Sequence, residues 1–265
     1  MTVVGTTPPP RLPVRNRAAA GERARGGVSP MLSRLADERA TGVLVREHGT
    51  LHLVEGRVVH AESPLAPGLG VLLTAHGALD AETWRDAEDS ADEGRLLLRG
   101  LTPGALELAQ VSALYDAAYF ALAPSSTPGR FRYGAPHWLA SVHPVPVAAL
   151  ERETLRRRAL LRRIWPDPAT DAAPLIRADP VAAPAVPSRQ AAVLARVDGV
   201  RRAADIAWEL GRPAFHTLVH LRRLAAAGLV ASQLPPADDH PPDAADAADP
   251  YIALLKRVRD ALEAL

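Results

Sequence analysis

No cysteine occurs among the 265 residues, which excludes disulfides, thiolate nucleophiles and the usual Cys-containing zinc centres. Aromatic residues are scarce at 4%, and lysine occurs once, at Lys256, among 31 basic residues. Nearly all the positive charge is therefore guanidinium. No apolar run approaches the roughly 20 residues that a membrane-spanning helix needs, and the N-terminus lacks a signal-type apolar region, so a cytoplasmic protein without a membrane partner is expected. Phosphate-binding loops are missing as well: Gly68-Leu69-Gly70 has no third glycine, there is no Walker sequence, and no serine sits in a nucleophile elbow. With no catalytic set, the chain is expected not to be an enzyme and to hold no metal or cofactor.

What is abundant is proline, 25 residues gathered mainly into connecting stretches, and segregated charge. These divide the chain into 1–28, a disordered arm; 29–165, an α+β domain ending in a basic helix; 166–186, a proline-rich linker; 187–234, a small helical domain; 235–249, an acidic linker; and 250–265, an amphipathic helix. Residues 187–234 carry 7 basic against 3 acidic side chains, whereas 235–265 carry 3 against 7. Such asymmetry steers partners without naming them.

The stretch from Gly42 to Pro64 predicts a three-stranded antiparallel meander, with turns at His48-Gly49 and Glu55-Gly56 where glycine supplies positive φ. Two-residue turns align Val43, Val45, His52, Val54, Val59 and Ala61 on one face. The other face then carries Leu44, Arg46, Leu51, Leu53, Val58 and His60. Both faces are largely apolar. The later helices cover one, and the second needs a helix, a further strand or another molecule, which makes Leu44, Leu51, Leu53 and Val58 candidates for protein contact. His52 and His60 fall on opposite faces in this register, so His48, His52 and His60 are not expected to share a metal.

Ser29-Pro30 caps a first helix with Met31, Leu32 and Leu35 facing the meander. Asp80 caps a helix through Trp84 and Ala87, and Thr102-Pro103 opens a longer one with Leu108, Val111, Leu114 or Tyr115, Ala118 and Leu122 at helical spacing. Arg130-Phe131-Arg132-Tyr133 reads as a fourth strand. Val145 to Ile164 is a basic helix in which Glu153 pairs with Arg156 and Arg157, its arginine stems packing on the acidic domain.

From Ser188 the pattern gives a helix with Val193, Leu194 and Val197, a break at Asp198-Gly199, and a second helix with Ile206 and Leu210. A turn at Gly211 leads to a third helix with Leu218, Leu221 and Leu224 inward, then a Gly228 stop and a strand at Leu229-Val230. Three short helices, a glycine and a strand read as a winged helix. Its outer face shows Arg212, His216, Val219, His220 and Arg223, of which Arg212, His216, His220 and Arg223 are the candidate contacts to double-stranded DNA. The four-residue spacing of His216 and His220 lacks the intervening glutamate and third ligand of a zinc protease. The last helix, from Asp249-Pro250, offers Leu255, Val258 and Leu262 for docking or for a homodimer.

Residues from Met31 to about Arg157 resemble the PATAN domain. The likeness lies in T-G-V-L-V at Thr41 to Val45, E-G-R-V-V-H-A at Glu55 to Ala61, G-R-F-R-Y at Gly129 to Tyr133, and L-x-x-E-x-x-R-R at Leu150, Glu153, Arg156 and Arg157. The resemblance implies a non-catalytic module of bacterial signalling proteins that mediates protein contacts and is often joined to receiver or helix-turn-helix domains. V-L-A-R-V-D-G followed by H-L-R-R-L-A-A-A-G-L-V is similar to the winged helix appended to such modules. Leu69 to Asp80 with Gly94 to Thr102 resembles tandem motifs of secretion ATPases, some of which bind cyclic di-GMP. Gly68 stands where that motif has Arg and the second copy is shortened, which argues against a cyclic dinucleotide here. The combined expectation is a transcriptional regulator that couples a partner-binding domain to a DNA reader, with a signalling adaptor as the alternative.

Overall fold

The computed structural model describes residues 28–75, 77–89, 101–178 and 185–233. The expected arm up to 27, the acidic linker, the last helix with Leu255, Val258 and Leu262, and residues 94–100 of the ATPase-like motif lie outside them. The fold is α+β. Helix α1 (Pro30–Asp37) starts where Ser29 accepts the N–H of Leu32 at 3.3 Å and proline occupies the first turn. Leu32 and Leu35 are buried, while Met31 is 36% exposed.

Strands β1 (Gly42–Arg46), β2 (Gly49–Val54) and β3 (Arg57–Glu62) form the meander. The second turn has positive φ at both Glu55 (48°) and Gly56 (76°), the backbone of a tight hairpin whose twist matches its strands. Gly56 also lies against α1, where a Cβ would stand 2.5 Å from the Ala36 carbonyl. The first turn is Glu47-His48, one residue earlier than expected, because Arg46 pairs with Gly49.

The expected division of faces holds between β1 and β2, since the turn shift moves the pairing by two residues, but it fails between β2 and β3. A bulge shifts the pairing so that His52 lies opposite His60 and Leu51 opposite Ala61. One extra residue, Val59, turns His60 outward and Ala61 inward. Gln110 stabilises the bulge from a helix, its Nε2 donating to the Val59 carbonyl at 2.7 Å. No local sequence rule marks that distant amide.

Two more strands complete a five-stranded sheet of order β4-β1-β2-β3-β5: the expected fourth strand, β4 (Arg130–Tyr133), pairs with β1, and β5 (Val145–Pro146) pairs with β3. Since β4 and β5 lie on opposite edges, residues 134–144 cross the sheet as a strap. Helices α2 (Leu69–Thr74) and α3 (Ala81–Asp89) follow the meander, the latter capped by Asp80, which accepts the N–H of Thr83 at 2.8 Å. Helix α4 (Pro103–Ala121) lays Leu114, Ala117, Ala118 and Ala121 on Leu44, Leu51, Leu53 and Val58 in the main core. Leu108, expected on this stripe, lies off it and is 72% exposed.

Helix α5 (Val147–Ile164) is the basic helix. Glu153 pairs with Arg156 at 2.7 Å and Arg157 at 2.9 Å. Arg157 and Arg158 donate to the Tyr115 and Leu122 carbonyls, so these two arginines fasten α5 to α4. Its N-terminal half packs in the main core through Val147 and Leu150, and its C-terminal half in a second core through Leu161.

That second core belongs to α7 (Ser188–Leu194), α8 (Ala203–Leu210) and α9 (Ala214–Ala226). Leu218, Leu221 and Leu224 point inward as expected. The stretch 166–186, expected as an extended spacer, is instead folded from 169 to 177. It forms α6 (Ala169–Ala172) and β6 (Leu175–Arg177), and β6 pairs antiparallel with β7 (Val230–Ser232). The physical reason is a buried pair. Arg222 of α9 donates from Nε and Nη2 to both carboxylate oxygens of Asp171 at 2.8 and 2.7 Å, and its Nη1 reaches the Leu161 and Trp165 carbonyls at the end of α5. Leu175 is fully buried beside them. The two cores also meet, because Ala207 and Ala214 pack into the main one.

Candidate nucleic-acid interface

Helix α9 shows residues 216, 220 and 223 along one face, since steps of four and three residues return to nearly the same direction. Gly211, left-handed at φ 57°, closes α8 and turns the chain so that Arg212 stands at the same mouth. The four expected residues Arg212, His216, His220 and Arg223 therefore line one open depression of about 450 Å³. Arg189 of α7, Thr217 and Val219 complete its wall, with no carboxylate among the lining residues. Among the described residues, Arg189, Arg212 and Arg223 form no ion pair.

Val219, expected to project outward, is only 9% exposed and packs into the second core. It is part of the depression's apolar floor and not an obstacle on a reading face. Arg189 escaped the sequence reading because periodicity along α9 does not say which residue of another helix lies beside it.

Both histidines are held below the ordinary imidazole pKa. Burial is the main cause for each, followed at His216 by Arg157 and Arg189 and at His220 by Arg223, His216, Arg212 and Arg189. The positive charge of the depression at neutral pH is thus carried by the three arginines. His220 Nδ1 is buried without a hydrogen-bond partner.

Pro213 at the start of α9 also lines the opening, but the first backbone N–H groups of the helix are not offered to it. Asp116 of α4, fully buried, accepts the backbone N–H groups of Ala214 and Phe215, the latter at 2.8 Å. Arg157 lies 3.7 Å from the same carboxylate and its guanidinium stands 4.5 Å from the Phe215 ring centre. Burial pushes the Asp116 carboxyl up to about 6, against the downward pull of the two N–H groups and Arg157. A carboxylate here satisfies donors that would otherwise face a buried surface. The Ala214 and Phe215 N–H groups therefore face the protein interior, while the His216 side chain of the same turn faces the depression.

The expected protein-contact set on the meander is corrected. Leu44, Leu51, Leu53 and Val58 are each no more than 1% exposed, covered by α4 within the chain. They form the core that makes the sheet stable and offer nothing to a partner.

On the opposite face the bulge gathers three imidazoles. His52 lies 5.5 Å from His60, and His137 of the strap lies 4.6 Å from His52 and 4.5 Å from His60, stacked on the latter. Glu62 accepts from or approaches His60 Nε2 at 3.3 Å. Burial, then His60 and His52, lowers His137 to about 3, and the His60 hydrogen bond heads the causes that lower Glu62 to about 2. The expectation that His52 and His60 point apart is thus overturned by the bulge. Among the described residues no group of three or more ligating side chains is arranged to hold a metal ion. No described helix is long and apolar enough to cross a membrane.

Compared with known proteins, the chain matches no family model, no curated protein and no solved structure.

Proposed function

We propose that this chain is a non-enzymatic regulatory protein of the cytoplasm, whose C-terminal three-helix unit acts as a winged helix that binds double-stranded DNA. One observation carries the reading: three arginines that form no ion pair among the described residues converge with two histidines on one concave face of α7 and α9. Guanidinium groups so placed attract phosphate oxygens and form charge-assisted hydrogen bonds to them. The PATAN-like reading of the sheet domain supports the same division of labour, with the sheet domain receiving the signal and the helical unit delivering it.

The geometry favours contact from the middle of α9, because Asp116 occupies its N-terminus. The first N–H groups of the helix are taken by Asp116, so affinity rests on the arginine side chains and their contacts to phosphates. The test is a fluorescence titration of the full chain with labelled duplex from its own upstream region at several salt concentrations. Affinity should fall steeply with salt, and Arg212→Ala or Arg223→Ala should each reduce the logarithmic salt slope by about 1. No binding at low salt would leave the adaptor reading, in which the helical unit makes only protein contacts. The capped first turn of α9 is the observation that favours that second reading.

A further inference from the structure

Strand β4 is an edge. It pairs with β1 on one side, and no described strand lies on the other. Gly134 N–H bonds the Thr41 carbonyl at 3.4 Å, so alternation along an antiparallel ladder turns the Arg132 and Arg130 backbones toward β1 and those of Phe131 and Tyr133 outward. Two N–H and two C=O groups are thus presented at the free edge. The side chains divide by face. Arg130 and Arg132 lie with Val45 and Val43 on the outer face, both exposed and without ion pairs among the described residues. Phe131 and Tyr133 lie on the α1 side, where with Pro30, Met31, Leu35 and Arg34, the last ion-paired to Glu38, they line a mainly apolar groove of about 480 Å³. Tyr133 is 72% exposed and Met31 36%.

Edges of this kind invite another strand. A second copy of this chain is the wrong occupant. Two antiparallel copies of β4 that keep matching faces place Arg132 opposite Arg132, or Arg130 opposite Arg132, and like charges directly opposite repel. We propose that the β4 edge docks an extended segment of a partner protein that alternates acidic and apolar residues. Its carboxylates meet Arg130 and Arg132, and its apolar side chains enter the groove between β4 and α1. This surface is separate from the arginine-lined depression and independent of the DNA reading.

The test uses the full chain and a labelled peptide alternating glutamate and valine, followed by anisotropy. The glutamate peptide should bind, and the lysine–valine peptide should bind at least about tenfold more weakly. The double variant R130E/R132E, which changes only exposed side chains, should exchange these preferences. N-methylation of the peptide at one set of alternate residues should abolish binding, while the other set has no effect. Equal binding of the two peptides, no binding of either, or indifference to N-methylation in both phases would overturn the proposal. A dimer of the chain that the peptide dissociates would assign the edge to a second copy and overturn it equally.

Discussion

Asp116 of α4 holds the first turn of α9 by accepting the N–H groups of Ala214 and Phe215, a contact that spans 98 and 99 residues of sequence. This single side chain ties the sheet domain to the helical unit that is proposed to meet DNA.

Its raised pKa gives the contact a pH dependence. A carboxyl held up to about 6 when folded, against an ordinary 3.8, contributes stability that is fully present below 3.8 and lost as pH rises through 6. Asp116→Asn abolishes that dependence, and Asp116→Ala leaves two buried donors unpaired at a cost of about 1–3 kcal/mol each. Urea unfolding of the three proteins between pH 4 and 7 checks both.

The histidine cluster acts in the opposite sense. His137, lowered to about 3 from 6.5, is neutral in the fold, so stability is present above 6.5 and lost as pH falls from there through about 3. His52 and His60 face it from β2 and β3, and Glu62, which favours protonation, lies beside His60. His137→Phe keeps the ring and removes the charge. Its thermal midpoint should fall less than that of the wild type between pH 6.5 and 4.

Arg222 and Arg223 are adjacent in sequence and opposite in role. Arg222→Ala breaks a buried pair with Asp171 and should cost about 3–5 kcal/mol. Arg223→Ala changes an exposed residue and should stay within about 0.5 kcal/mol of the wild type while weakening duplex binding. Chemical denaturation with the duplex titration separates the two.

Leu51 and Val58 belong to the folded core, so Leu51→Ala should destabilise by about 2–5 kcal/mol. Leu51→Asp or Val58→Asp should fail to give a cooperative thermal transition, which circular dichroism would show. Neither variant reports on partner binding.

The short-range features were legible because they rest on local chemistry. Ser29-Pro30 and Asp80 cap helices wherever the chain places them, Glu55-Gly56 makes a tight hairpin, and residues 218, 221 and 224 share a helix face by spacing alone. The four basic-face residues Arg212, His216, His220 and Arg223 were found in this way, being neighbours along one helix and its turn. Arg189 was not, since its proximity depends on how α7 packs.

By itself, then, the sequence determined the main helices and strands, the α+β class, the faces of β1 and β2 and the basic face of α9. Tertiary structure alone decided the rest. Gln110 binding the Val59 carbonyl sustains the bulge that reverses the end of β3 and brings His52, His60 and His137 together. Arg222 gripping Asp171 converts the proline-rich stretch into part of the helical unit, and Asp116 turns the start of α9 inward. Each of these is a polar group satisfied across a long sequence separation. Such pairings are dictated by the cost of burying an unpaired donor or charge once the chain has closed, and no window of neighbouring residues contains both partners.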